Sequence, residues 1–521
     1  TPTPTPTAPK PEGTLVWGAS ELAQETFVPW MSTTTNALAY LQVYDYPVFV
    51  NYQKGGEFVP MVFERWEFSE DYRDFTVWLR EGIPWHDGWG EITADDVKYT
   101  YDLMLTVGAP LRSSWGTLSK IFDSIEVIDP YTVVFHFTEP NTTIYQPLIC
   151  DNWDSPILCK KYVEAVGEDE ANLHPLGSGP YRLLEHMFGD YLKYEAYDEH
   201  WRVVPEFKYL VKHLIPEEST RVAMLKTGEI DATELSPMSV AELPKEGFNI
   251  SPWGGGPTFS IMFGGLVGTG DPHYVEGYHN TDPWADEKVR EAMNIAIDRQ
   301  AICDALYAGL ANPIPLYDPY PGMDLPPIPY DPERAKQLLA EAGYPNGFTF
   351  DLINSPTQPG VPLSSKMGEA AAGYWEEVGL SVNVIAMEVL HFWIGNVKTF
   401  EHAGALYGMR HTYIREPLKY VPNYTYRAST SYYQDDTSDR LGEALMAEMD
   451  FEKRLPLWKE FGQYIYDMDA TVPFVKLSRT IVSDSKKVGD WPEDWSTFYY
   501  NLEYVRHAEP LNTFRLFDPM K

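Results

Sequence analysis

Apolar and polar residues alternate through Phe75, Val77 and Leu79, the two-residue period of a strand with one buried face. Gly82 and Pro84 end that run, and Trp85-His86-Asp87-Gly88 reads as a turn in which the glycine takes positive φ. Thr93 follows with Asp95 and Asp96 behind it, so a helix is predicted over Val97–Leu105, N-capped by Thr93 and with acids in its first turn. Elsewhere, Thr14–Gly18 predicts a short buried strand, and Tyr191–Tyr197 and Phe207–Ile215 predict two more. Glu218–Thr227 predicts a helix closed by Gly228 as its C′ residue. Strand, helix and strand in that order imply a parallel α/β sheet.

The second half repeats the alternation of elements. Val289, Ala292, Met293, Ala296 and Ile297 fall at helical spacing, predicting one helix from Trp284 that Gly309 closes. A Pro-rich loop follows, from Pro313 to Pro332. Asp331, Pro332 and Gly343 then occupy the N-cap, N1 and C′ positions of a further helix. Phe348–Ile353 and Ser381–Ala386 predict strands on either side of a helix over Lys366–Glu377.

Several of these elements carry words as well as periods. Ser69, Asp71, Arg80-x-Gly82-x-x-Trp85-His86-Asp87-Gly88 and Thr93-Ala94-x-Asp96-Val97 form one set. Pro175-Leu176-Gly177-Ser178-Gly179-Pro180-Tyr181-Arg182, His200-Trp201 and Gly228-Glu229-x-Asp231 follow it. Val289-Arg290-x-Ala292 with Ala296-Ile297-Asp298-Arg299, and Tyr330-Asp331-Pro332 with Ala342-Gly343-Tyr344-Pro345, complete the series. Together and in this order they resemble the family 5 extracellular solute-binding proteins, the dipeptide, oligopeptide, nickel and opine receptors of ABC importers. The resemblance implies a two-lobe, periplasmic-binding-protein-like α/β fold of type II, with an extra subdomain inserted in the first lobe. On it, 1–12 is a tether, 13–48, 168–265 and 472–521 form the core of lobe I, 49–167 is the inserted subdomain and 266–471 is lobe II. Crossing strands are expected near 259–266 and 470–476. The lobes of such a protein close like a hinge on a small molecule.

Composition narrows the partners. The chain has 521 residues, enough for about three domains or subdomains. Its net charge of −36 opposes nucleic acid or anionic membrane as a partner, since phosphates are repelled. No apolar run approaches the roughly 20 residues of a membrane span. Residues 1–11 read Thr-Pro-Thr-Pro-Thr-Pro-Thr-Ala-Pro-Lys-Pro, an extended tether of the kind expected behind a lipid-anchored cysteine. The resemblance implies a monomer at the periplasmic or outer cell surface, touching the membrane only through an N-terminal lipid anchor. On it, the partners are a small polar solute and ABC permease subunits.

Chemistry-bearing residues are few. Three cysteines without a Cys-x-x-Cys give no metal or redox framework. Cys150 and Cys159 are disulfide candidates in an exported protein, and Cys303 sits in an apolar helical pattern as a buried thiol. His86 and Asp87 invite a catalytic or metal reading, but a short motif alone seldom establishes chemistry, and a structural turn is the reading taken. His391, His402 and His411 have no metal-ligand spacing, so neither metal nor cofactor is expected. No nucleophile–base motif is present, and no catalytic residue is assigned.

Ligand candidates come from the resemblance. In the peptide-binding branch, a segment matching Gly408 to Pro417 carries an Asp that pairs with the peptide ammonium. Aligned on Glu416-Pro417, that position falls on Tyr413, with Arg410 and His411 beside it. Without the carboxylate a simple peptide loses its charge partner, whereas Arg410 can fork a carboxylate and Tyr413 can stack on a ring. Trp253 before three glycines, and Phe259 at the expected crossing strand, are further candidates. Ser20 and Glu21 follow the first strand, where α/β sheets bind ligands. Trp393 and Tyr407 complete the set. A secreted glycan-acting hydrolase is the competing reading, suggested by the acids and 16 Trp. A ligand sensor or coreceptor on the same fold is another.

Overall fold

The computed structural model describes residues 10–22, 25–28, 40–51, 57–107, 118–140, 148, 156–244, 246–253, 257–316, 325–356, 358, 361, 363–411, 421–425, 432–477, 479–489 and 502–508. The chain divides into two compact units, Thr1–Trp253 with Thr480–Lys521, and Gly254–Arg479.

The first unit is built on a seven-stranded mixed sheet. Its order is Phe248–Trp253, Arg479–Asp484, Ala232–Leu235, Glu12–Ala19, Phe207–Leu214, Tyr191–Ala196 and Tyr181–Met187. Glu12–Ala19 lies parallel to both Phe207–Leu214 and Ala232–Leu235, and the helix Glu218–Thr227 connects those two flanking strands. This is the strand–helix–strand unit expected from the sequence, and Gly228 ends its helix at φ 78. Leu15, Trp17, Leu210 and Tyr194 are buried on the sheet, where they meet Leu502 and Val505 from near the end of the chain.

A second, antiparallel sheet of the same unit has the order Phe63–Phe68, Asp74–Leu79, Thr132–Phe137 and Phe122–Asp129. Phe75, Val77, Leu79, Val133 and Phe135 are its buried residues. The helix Ala94–Val107 packs against it, with the Tyr101 and Phe135 rings edge to face at 5.0 Å. That helix starts earlier than Val97 because Asp96 reaches back: its Oδ2 accepts both the N–H and the hydroxyl of Thr93.

The second unit holds a six-stranded sheet ordered Ala311–Pro313, Thr471–Leu477, Thr258–Phe263, Ala405–His411, Thr349–Asn354 and Ser381–Ala386. Thr349–Asn354 and Ser381–Ala386 are parallel and joined by the helix Ser364–Glu377. The strands near 259–266 and 470–476 therefore pair within this unit. The two compact units meet along the chain at 253/254 and 479/480, whereas the sequence reading expects lobe boundaries at 265/266 and 471/472. The apolar runs Thr258–Phe263 and Thr471–Leu477 are central strands that the second sheet needs.

The predicted single helix from Trp284 is two helices, Glu287–Ile295 and Arg299–Tyr307. Asp298 breaks it by capping the second, accepting the Ala301 N–H over 2.9 Å. Ala308, at φ 51, reverses the chain before Gly309 does. By contrast, Pro332–Glu341 is capped by Asp331 as expected.

Candidate functional site

The sequence words resolve into packing devices. His86 donates from Nε2 to the Gly179 carbonyl at 2.8 Å, and its own N–H meets the Gly177 carbonyl. Burial pushes its pKa down to about 4. Asp87 pairs with Arg182 at 2.8 Å, so the Trp85–Gly88 turn is fastened to the Gly177–Arg182 segment. A Cβ on Gly177 would lie 1.8 Å from the Val43 carbonyl oxygen, and one on Gly179 would lie 2.6 Å from Val43 C. These glycines serve close backbone approach, and neither has positive φ.

Asp231 accepts the Val16 N–H at 2.6 Å and Lys487 Nζ at 2.7 Å, anchoring the first strand. Arg290 donates to the carbonyls of Met468, Trp284 and Ala285, and Arg299 to those of Pro473, Asn294 and Ile297. Both guanidiniums thereby tie helix ends to the strand Thr471–Leu477 and the turn before it.

Strongly shifted titration marks candidate sites only where a cleft holds the group. Lys212, with burial pushing it down to about 7, sits on the core face of the first sheet and donates to Gln42. Asp469, with burial pushing it up to about 7, lies beside Arg290 and Arg299 in the second unit. Asp45 is fully buried, yet His200, Arg202 and Trp201 together outweigh that burial and bring it to about 2. Each belongs to a core network.

The ligand candidates fall in two places. Ser20 and Glu21 are exposed just beyond the carboxyl end of Glu12–Ala19, and Trp253 is the last residue of Phe248–Trp253. In the second unit, antiparallel pairing sets Phe259 opposite Arg410, Thr258 opposite His411 and Met262 opposite Tyr407. Strand alternation then puts Arg410 and Gly408 on the face that carries Phe259, with Tyr407 on the other. A Cβ on Gly408 would lie 2.8 Å from the Phe259 ring, and Gln358 donates to the Gly408 carbonyl at 3.0 Å.

Arg410 is half-buried. Phe259 is 1 % exposed and packs on Phe474, which makes it a core residue. Tyr407 is likewise buried, against Phe392 and His402, and burial pushes its pKa well up. Trp393 opens the helical turn Trp393–Val397 directly after Phe392. Tyr413 and Cys150 lie outside the described residues, and Cys159 is a buried free thiol. Among the described residues no group of three His, Cys, Asp or Glu could hold a metal ion.

No local pattern marks Glu25 and His186, which meet at 2.6 Å across 161 residues. Glu25 also accepts the Gly189 N–H.

Residues 57–427 match the bacterial extracellular solute-binding proteins, family 5 (middle region). The chain belongs to this family. Among similar family 5 proteins is the dipeptide-binding protein of Escherichia coli K12, 28% identical over 76% of this chain and 75% of its own. Heme-binding protein A of Haemophilus influenzae is 27% identical over 65% of this chain, and a Shigella boydii glutathione-binding protein is 31% identical over 62%. The chain spans less than two thirds of those last two, 64% and 60%.

Among solved structures, HbpA2 from Haemophilus parasuis superposes with a TM-score of 0.77 at 24% identity, covering 95% of this chain and all of that one. NikA from Brucella suis, in complex with Fe(III)-EDTA, gives 0.76 at 20% identity, again over 95% of this chain and 100% of its own. The fold is the type II periplasmic-binding-protein fold of family 5. No helix among the described residues is long and apolar enough to cross a membrane.

Proposed function

We propose that the protein captures a small polar solute bearing a carboxylate and delivers it, chemically unchanged, to the permease of an ABC importer. The match to the solute-binding family over residues 57–427 carries the transport reading. Arg410 carries the anionic preference, as a half-buried guanidinium on the strand Ala405–His411, able to fork a carboxylate. The family's ammonium-binding Asp position falls on Tyr413, which disfavours a peptide held by its amino terminus. The relatives named for glutathione and heme fit this class, since both of those solutes carry carboxylates.

Ser20, Glu21, Trp253, Arg410, His411 and Tyr413 are the residues assigned to the solute. The Thr/Pro tract at 1–12 acts as a tether to the outer face of the membrane, and the protein works as a monomer without metal or cofactor. Reversible release requires that affinity come from stabilising the bound conformation rather than from bond chemistry.

Mass spectrometry of small molecules freed by denaturing the purified protein tests this reading. An intact acid is expected. Steady conversion of added peptides, glycosides or esters would sink it in favour of a hydrolase.

A further inference from the structure

Glu25 stands in a conformation that its side chain disfavours, at φ 51 in the left-handed region. It is also only 7% exposed, and a carboxylate withdrawn from water persists only when donors surround it. Both of its oxygens have one. Oε2 lies 2.6 Å from His186 Nε2, and Oε1 accepts the Gly189 N–H at 2.9 Å. The His186 ring is flanked in turn by Phe27 and Phe188, at 5.9 and 6.1 Å.

The residues just after Glu25 are fixed independently. Asn172 accepts the Thr26 hydroxyl and the Phe27 N–H, and Tyr44 donates to the Phe27 carbonyl. Upstream, the last backbone bond of the strand joins Ile215 N–H to the Ala19 carbonyl. Ser20 and Glu21 lie between these two anchors, exposed.

We propose that Glu25 and His186 are a positioning pair whose contact places Ser20 and Glu21 for the solute. This rests on the assignment of Ser20 and Glu21 as solute contacts. Without His186 the buried carboxylate keeps one donor, so Glu25 turns out to water and its φ relaxes. Ser20 and Glu21 then lie between the Ala19 bond and the more distant hold on Thr26 and Phe27.

Hydrogen exchange on the unliganded protein reads this directly. His186→Leu should raise exchange at Leu22 and Glu25 at least tenfold, while Phe27, whose N–H is held by Asn172, and the amides of Phe207–Leu214 stay as protected as before. His186→Gln, which keeps a donor, should restore most of the protection. Glu25→Gln, which keeps the bond from Gly189, gives a second variant if His186→Leu fails to fold, and should show the same local increase.

With glutathione as a carboxylate-bearing probe, His186→Leu should weaken binding about tenfold at unchanged Tm. Unchanged exchange in both variants would overturn the pair as an anchor. Raised exchange with unchanged glutathione affinity would overturn its positioning role. If Ser20→Ala and Glu21→Ala both leave glutathione affinity untouched, the underlying assignment fails instead.

Discussion

His86 and Gly179 are joined by a 2.8 Å hydrogen bond from the imidazole Nε2 to a backbone carbonyl, so the ring is held as a buried neutral donor. Its pKa falls from 6.5 to about 4 because burial disfavours the charged ring. Between those values the unfolded chain binds a proton that the folded protein does not. Stability is therefore complete above pH 6.5 and declines as pH falls toward 4, by on the order of 3 kcal/mol for this residue alone. Denaturant titrations of wild type and His86→Gln at pH 7.5 and 4.5 check it. The variant should be less stable at the higher pH, and the gap should narrow at the lower one.

Asp469 titrates in the opposite sense. Burial raises it to about 7, so over pH 4–7 the folded protein binds a proton that the unfolded chain releases. Its contribution is present below pH 4 and is lost as pH rises through 7. Asp469 also takes φ 47, a conformation Asn accepts readily. Asp469→Asn should raise Tm at pH 8, by a shift worth about 1 kcal/mol or more, and change it little at pH 4. Calorimetry at the two pH values decides.

Gly179 leaves no room for a side chain against Val43. Gly179→Ala should displace the 42–44 backbone, break the Gly179 N–H bond to the Val43 carbonyl and cost about 3 kcal/mol or more. Gly189→Ala is the contrast, because nothing lies near its Cβ and only its φ of 73 opposes the change. It should cost about 1 kcal/mol. Equal losses in urea titrations would show that backbone conformation, and not the contact with Val43, explains Gly179.

Arg410→Ala should weaken an anionic solute by roughly 2–5 kcal/mol if the ion pair forms out of water. Isothermal calorimetry with the acid released from the native protein measures it. Tight binding of simple dipeptides, indifferent to Arg410, would remove the anionic reading.

Short-range chemistry makes local structure legible from residue types alone. Asp331, Pro332 and Gly343 announce the helix Pro332–Glu341, and Gly228 announces the end of Glu218–Thr227, because caps act over a few residues. The break at Asp298 was hidden, since apolar spacing runs through it and a capping Asp resembles any surface Asp. The role of Gly177 and Gly179 has no local mark, because Val43, the group that requires them, is remote in sequence.

The site was less legible for the same reason. Arg410 neighbours Phe259 through strand register, which no local pattern encodes. Tyr407 and Phe259, aromatic and so plausible as ligand walls, are core residues because strand alternation and facing helices bury them.

The strand Arg479–Asp484 lies inside the first sheet, between Phe248–Trp253 and Ala232–Leu235, and Leu502 and Val505 fill the core of the same unit. During synthesis, residues 1–253 therefore emerge with an unpaired gap in their sheet and an open core. The unit is complete only once Arg479–Asp484, Leu502 and Val505 have appeared, so sequence from both ends of the chain must meet before the first sheet and its core close.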